Sequence, residues 1–141
     1  MGARSSRRAS RLLAATVAVA LTASCSDDEG SVEALCSALR KDPSIATTFD
    51  GFDPTDVETA LDQLRSARVK LGELRDAAPA EVKGDLSVEI DYVQALADAL
   101  DGMAGRDAAD IVATVQQVTA DHADVDEAAA NLAAFEESSC R

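Results

Sequence analysis

Hydrophobic positions along this chain recur with the 3.6-residue period of amphipathic α-helices, and no strand-like alternation of useful length occurs. The first such segment predicts a helix from about Val32 to Lys41, with Ser31 as its N-cap. Asp42-Pro43 ends it, because the residue before a proline is disfavoured in the helical conformation.

A second helix is predicted from the segment that follows Phe52. Asp53 is the expected N-cap, Pro54 the first helical residue and Asp56 an acid in the first turn. Phe52 and Val57 stand at the positions of a hydrophobic staple. The helix carries a seven-residue apolar repeat typical of bundles, formed by Val57, Leu64, Leu71 and Ala78 with Ala60, Ala67 and Leu74 between them.

Ala78-Pro79 breaks this helix, and a third is predicted from Pro79 to Asp101. Gly102 and Gly105 close it. The periodic pattern then runs from Arg106 to about residue 138, as one long helix or two. We favour two, with a break near 120–123, because Asp124 followed by Glu127 is typical of a capping box.

The tight turn at Ala78-Pro79 makes the second and third helices an antiparallel pair. Residues that face each other across the two helices then have numbers that sum to about 157. In most of these facing pairs, or rows, both residues are apolar. One row joins Arg68 to Glu89, and we expect an interhelical ion pair that sets the register of the two helices. The alternative is that each side chain turns separately to solvent.

The N-terminus has the organisation of an export signal. Four arginines and no acid occur in the first 24 residues, and a short apolar run covers 12–21. That run is too short to span a bilayer, which needs about 20 apolar residues. Thr22-Ala23-Ser24-Cys25 resembles the lipobox of bacterial lipoproteins. The resemblance implies that Cys25 becomes the first mature residue and carries a diacylglyceryl group with palmitate-type chains.

We therefore divide the chain into a signal peptide (1–24), an acidic tether (25–30) and a helical bundle (31–141). Export is by the general or the twin-arginine route, and the protein is expected on the outer face of the cytoplasmic membrane. Without lipidation it would be secreted. If Cys25 carries lipid, Cys36 and Cys140 remain, and two cysteines in an oxidising compartment predict one disulfide. The expected fold is all-α, a small antiparallel bundle of four to five helices stapled by that disulfide.

Charge narrows the range of partners. All 26 acidic residues lie in the mature part, against nine of the basic ones, so its formal charge is −17. Such a surface repels nucleic acid, and no nucleic-acid partner is expected. The expected partners are the membrane, through the lipid at Cys25, and another protein of the cell envelope.

Several short segments carry a family resemblance. Leu64-Arg65-x-Ala67-x-x-x-Leu71 is followed by Ala77-Ala78-Pro79-Ala80-Glu81-Val82, by Asp91-Tyr92-Val93 and by an alanine-rich helix ending at Cys140. This pattern resembles a group of small exported actinobacterial helical proteins, often lipoproteins, of unknown function. The resemblance covers about 31–141 and implies a bond between the early and terminal cysteines, Cys36 and Cys140. It implies no catalytic residue.

The sequence offers little for catalysis. His122 and Asp126 are four residues apart and could share a cation on a continuous helix, but a divalent site needs more ligands than two. They are weak metal candidates, and no metal or other cofactor is expected. Because no nucleophile motif occurs either, we expect a non-enzymatic binding or structural module.

The alternative function is a carrier of a small apolar ligand held in a cavity between helices. Small side chains in the helix seams, Ala60, Ala67 and Ala97, could open such a cavity or could let the helices approach closely. A cavity of several hundred cubic ångströms lined by Leu and Val would favour the carrier.

Overall fold

The computed structural model describes residues 30–42, 49 and 51–141, and every regular element in these residues is an α-helix. The predicted all-α bundle is therefore confirmed, with five helices. They are α1 (Val32–Lys41), α2 (Val57–Ala77), α3 (Ala80–Leu100), α4 (Ala108–Asp121) and α5 (Val125–Ser139).

Most of the predicted helix ends are confirmed. Ser31 caps α1, and its Oγ accepts a hydrogen bond from the backbone N–H of Ala34 at 3.1 Å. The chain turns at Ala78-Pro79, and Gly102 and Gly105 adopt φ angles of 76° and 81° in the turn after α3. The region after this turn forms two helices, as the sequence favoured.

The start of α2 differs from the prediction. Asp53 does not cap a helix, because its Oδ1 accepts hydrogen bonds from the backbone N–H and the Oγ1 of Thr55, at 2.9 and 2.6 Å. These bonds hold a separate turn before the helix. The N-cap is Asp56, whose Oδ1 accepts from the N–H of Thr59 at 3.3 Å. The helix therefore begins at Val57, three residues later than expected.

The predicted capping box at the start of α5 is also wrong. Asp124 has a helical backbone conformation and its side chain makes no capping hydrogen bond. The break is stabilised instead at the end of α4, where the Nδ1 of His122 donates to the carbonyl oxygen of Val118 at 3.0 Å. The ring and the backbone N–H of His122 thus both donate to the Val118 carbonyl oxygen in the last turn of α4.

Packing places α3 at the centre of the bundle, in contact with α2, α4 and α5, while α1 contacts α2 and α5. The disulfide between Cys36 and Cys140 ties α1 to the end of α5, with a Cα–Cα distance of 5.2 Å. This confirms the predicted disulfide. The core is built mainly from the apolar faces of α2 and α3, with Leu64, Val93, Leu100 and Ile111 as its most completely buried large side chains.

The N-terminal predictions lie outside the described residues. They are the signal peptide (1–24), most of the tether (25–29) and the lipidated Cys25. Within the described residues, none of the helices combines the length and the apolar character needed to cross a bilayer.

Candidate functional site

The main candidate site is a groove of about 520 Å³ between four helices, which we call the leucine groove. Both helices of the hairpin contribute to it, and α1 and α5 form the remaining sides. Its apolar lining consists of Leu35, Leu39, Leu71, Leu74, Leu86, Ala129, Leu132, Ala133 and Phe135. Three charged or ionisable residues complete the lining, and all three are acidic: Asp42, Glu89 and Glu136.

Two small residues of α5 are part of the reason why this groove is open. Ala129 and Ala133 are four residues apart and therefore share one face of the helix. Both line the groove and both are exposed, whereas Leu132 and Phe135 on the same helix are partly buried against the core. Small side chains on this face leave apolar surface of the neighbouring helices uncovered.

Glu89 is the unusual polar group of the leucine groove. It is half-buried, and no other described residue donates a hydrogen bond to it or forms an ion pair with it. Removal of the carboxylate from water raises the pKa of Glu89 above its usual value of 4.5. Among the described residues, this carboxylate thus has no cationic partner of the kind that buried charges usually have.

The other acids of the groove differ from Glu89. Asp42 follows α1, and its Oδ2 lies 3.4 Å from the Nζ of Lys70 on α2. Glu136 is an exposed residue of α5. Of the three carboxylates, Glu89 is thus the half-buried one that no cation within the described residues neutralises.

The predicted ion pair between Arg68 and Glu89 is not formed. Arg68 is exposed, and its guanidinium donates instead to the side-chain oxygen of Gln94. It lines a second, smaller groove of about 230 Å³, on the polar side of the hairpin with Asp98 and Asp101. Two residues at the same level along a pair of antiparallel helices can still lie on different sides of the contact between those helices. Arg68 and Glu89 lie on opposite sides.

The seam alanines do not form the main cavity. Ala60 and Ala67 are fully buried in the core between the helices, and neither lines a groove. They allow close helix approach. Ala97 lines the smaller groove. The alanines that line the main groove are instead Ala129 and Ala133 of α5, which the seam pattern did not predict.

The weak metal candidates are not arranged as a site. His122 ends α4, with Nδ1 engaged by the carbonyl of Val118, and Asp126 belongs to the first turn of α5. The continuous helix that would bring them together is therefore broken between them. In the part of the chain that the structure describes, no group of three or more potential metal ligands occurs.

Comparison of the chain with protein-family models, with curated protein sequences and with solved structures finds no match.

Proposed function

We propose that this protein is a non-enzymatic binding module, anchored by lipid outside the cytoplasmic membrane, that holds a small apolar ligand in the leucine groove. The observation that carries the proposal is the groove itself. Its volume of about 520 Å³ falls in the range of roughly 300–1,000 Å³ that is typical of small-molecule sites. Its lining of six leucines, one phenylalanine and a few polar groups also has the usual composition of such sites.

The disulfide supports the extracytoplasmic location. Stable disulfides are typical of oxidising compartments and rare in the cytosol of most organisms. With Cys36 and Cys140 bonded, Cys25 is the remaining cysteine of the chain. Its place after a short apolar run and small residues suits lipid attachment, and the family resemblance of the sequence favours the same location.

The point at which the N-terminal tether joins the bundle suggests where the groove would lie relative to the membrane. The N–H of Ser31 donates to the carbonyl of Ala77 at 3.0 Å, so the chain enters the bundle at the turn between α2 and α3. Five residues, 26–30, separate Cys25 from Ser31, a reach of about 17–20 Å. Leu71 and Leu74 line the groove from the last two turns of α2, next to this turn. A lipid anchor at Cys25 would therefore hold the groove close to the membrane surface.

Binding of an uncharged fluorescent probe, N-phenyl-1-naphthylamine, tests the function. We expect saturable enhancement of its fluorescence with one site per chain, because the apolar lining excludes water from the probe. Ala133→Phe places a large side chain in the groove and should abolish this site. Ala134→Phe is the matched control, since Ala134 is an exposed neighbour on the same helix that does not line the groove.

A probe signal that Ala133→Phe leaves unchanged would contradict the proposal. Helicity measured by circular dichroism should be the same in both variants, which separates a filled groove from a misfolded chain. Ala129→Phe provides a second filled variant, because Ala129 also lines the groove.

A second candidate is a docking module for another protein of the envelope. The observation that favours it is the formal charge of −17 on the mature part, which suits a basic partner surface. Crosslinking in the native envelope discriminates the two functions. A docking module would repeatedly yield the same protein partner, and a ligand carrier would not.

A further inference from the structure

The charges around the leucine groove indicate what kind of ligand it would accept. Every ionisable group in its lining is a carboxylate, and Lys70, which contacts Asp42, is not itself part of the lining. An anionic ligand would meet Glu89 and Glu136 without a compensating cation from the lining. An uncharged ligand would cover Glu89 and leave it without a partner.

A ligand that covers Glu89 raises the free energy of its charged carboxylate. A carboxylate that loses its remaining water and gains no partner is strongly disfavoured in its charged form. A cationic group placed against it offsets that cost by a charge-assisted hydrogen bond, which is stronger than a neutral one. Burial raises the pKa of Glu89, as expected for a carboxylate among apolar side chains.

We propose that the leucine groove binds a small amphiphile with one cationic amino group, whose apolar body lies against the leucines and whose cation contacts the Glu89 carboxylate. This assignment rests on the proposed function and adds the chemical class of the ligand. The size of the groove favours a small molecule, and the overall negative charge of the mature part favours approach of a cation.

Three probes with the same twelve-carbon chain test the proposal: dodecylamine, dodecanol and dodecanoate. Each is titrated below its micelle-forming concentration against the purified chain at neutral pH, and binding is measured by calorimetry. Dodecylamine should bind most tightly and dodecanoate most weakly. Glu89→Gln should weaken dodecylamine binding by at least about fivefold, as expected for loss of a partly exposed charged hydrogen bond. It should not weaken dodecanol binding, because a neutral ligand no longer covers an unpartnered carboxylate.

Two control experiments test whether the loss of dodecylamine affinity is specific to Glu89 and whether binding occurs in the leucine groove. Asp91→Asn removes a carboxylate from an exposed position of the same helix and should leave all three affinities unchanged. Ala133→Phe should abolish binding of dodecylamine and dodecanol, and Ala134→Phe should not. Dodecylamine binding that is insensitive to Glu89→Gln would overturn the proposal.

The outcomes separate failure of this inference from failure of the proposed function. Dodecanol that binds as tightly as dodecylamine, in a manner blocked by Ala133→Phe, would keep the groove as a ligand site and reject the cationic class. Absence of binding by all three probes would reject both. Self-association that Ala133→Phe abolishes, or groove binding by a basic amphipathic peptide alone, would assign the groove to a second copy or a protein and overturn the inference.

Discussion

Glu89 is the residue whose chemistry most distinguishes this bundle from an ordinary acidic helical surface. It lies on α3 with Leu86, three residues before it, and both line the leucine groove. Its carboxylate is half-buried, and the ionisable groups that share the groove are Asp42, paired with Lys70, and Glu136. Its partial loss of water should therefore be visible in the stability of the free protein.

Replacement of Glu89 by Gln should stabilise the ligand-free protein at neutral pH. Because its pKa is higher in the folded than in the unfolded chain, the folded state retains this proton to higher pH. The free energy of unfolding therefore falls as the pH rises from the ordinary carboxyl value of 4.5 through the raised value. Urea unfolding at several pH values should show a gain for Glu89→Gln above this window that disappears below it.

The matched variant Asp91→Asn should change stability by no more than about 0.5 kcal/mol at any pH, as is usual for an exposed surface position. If Glu89→Gln gave the same small, pH-independent effect, the half-buried carboxylate would not carry the energetic cost that we assign to it.

At the residue scale, the sequence predicted the core better than the polar contacts. Apolar residues with numbers summing to 157 do lie in one core, as Leu71 with Leu86 and Leu64 with Val93 illustrate. The same rule placed Arg68 opposite Glu89, and that pair is not formed. Sequence position along a hairpin fixes height, but the side of the seam depends on the rotation of each helix, which packing against α1, α4 and α5 decides.

At the scale of single elements, glycine has opposite roles in turns and helices. Gly102 has a φ of 76°, a left-handed conformation that costs other residues about 1–2 kcal/mol. Gly84 lies inside α3, and a Cβ added there meets no atom within 4 Å. A glycine inside a helix costs roughly 0.5–1 kcal/mol relative to alanine.

Gly102→Ala should therefore destabilise the protein by about 1–2 kcal/mol, and Gly84→Ala should stabilise it by roughly 0.5–1 kcal/mol. Chemical unfolding of the two variants beside the parent protein measures both effects. Equal effects of the same sign would show that backbone conformation at these two positions does not explain their stability, and would argue against the turn after α3.

The helix boundaries show what local sequence signals can and cannot resolve. Ser31 and the Ala78-Pro79 break were predicted correctly because each signal has a single interpretation. Asp53 was the predicted cap of α2, however, and its side chain bonds to Thr55 rather than to a helix. Asp53 and Asp56 each accept from a backbone N–H two or three residues ahead, and turn geometry that the sequence pattern does not fix decides which of them begins the helix.

At the scale of the whole molecule, one covalent link joins distant parts of the chain. The disulfide spans 104 residues and fastens α1 to the end of α5, two of the helices that enclose the leucine groove. In the chain-entropy model, closing a loop of about 100 residues stabilises the folded state by about 4.7 kcal/mol.

The disulfide was predictable from the number of cysteines once export was assumed. The groove was not, because it depends on how α1 and α5 pack across the hairpin.

The proposed function requires export of the bundle, a lipid anchor at Cys25 and closure by this disulfide. Mass spectrometry of the protein extracted from its native envelope, without reducing agent, tests it most directly. We predict a chain that begins at Cys25, carries a diacylglyceryl group there, and has Cys36 and Cys140 oxidised. A cytosolic chain that retains Met1 and has free thiols at both other cysteines would contradict the account.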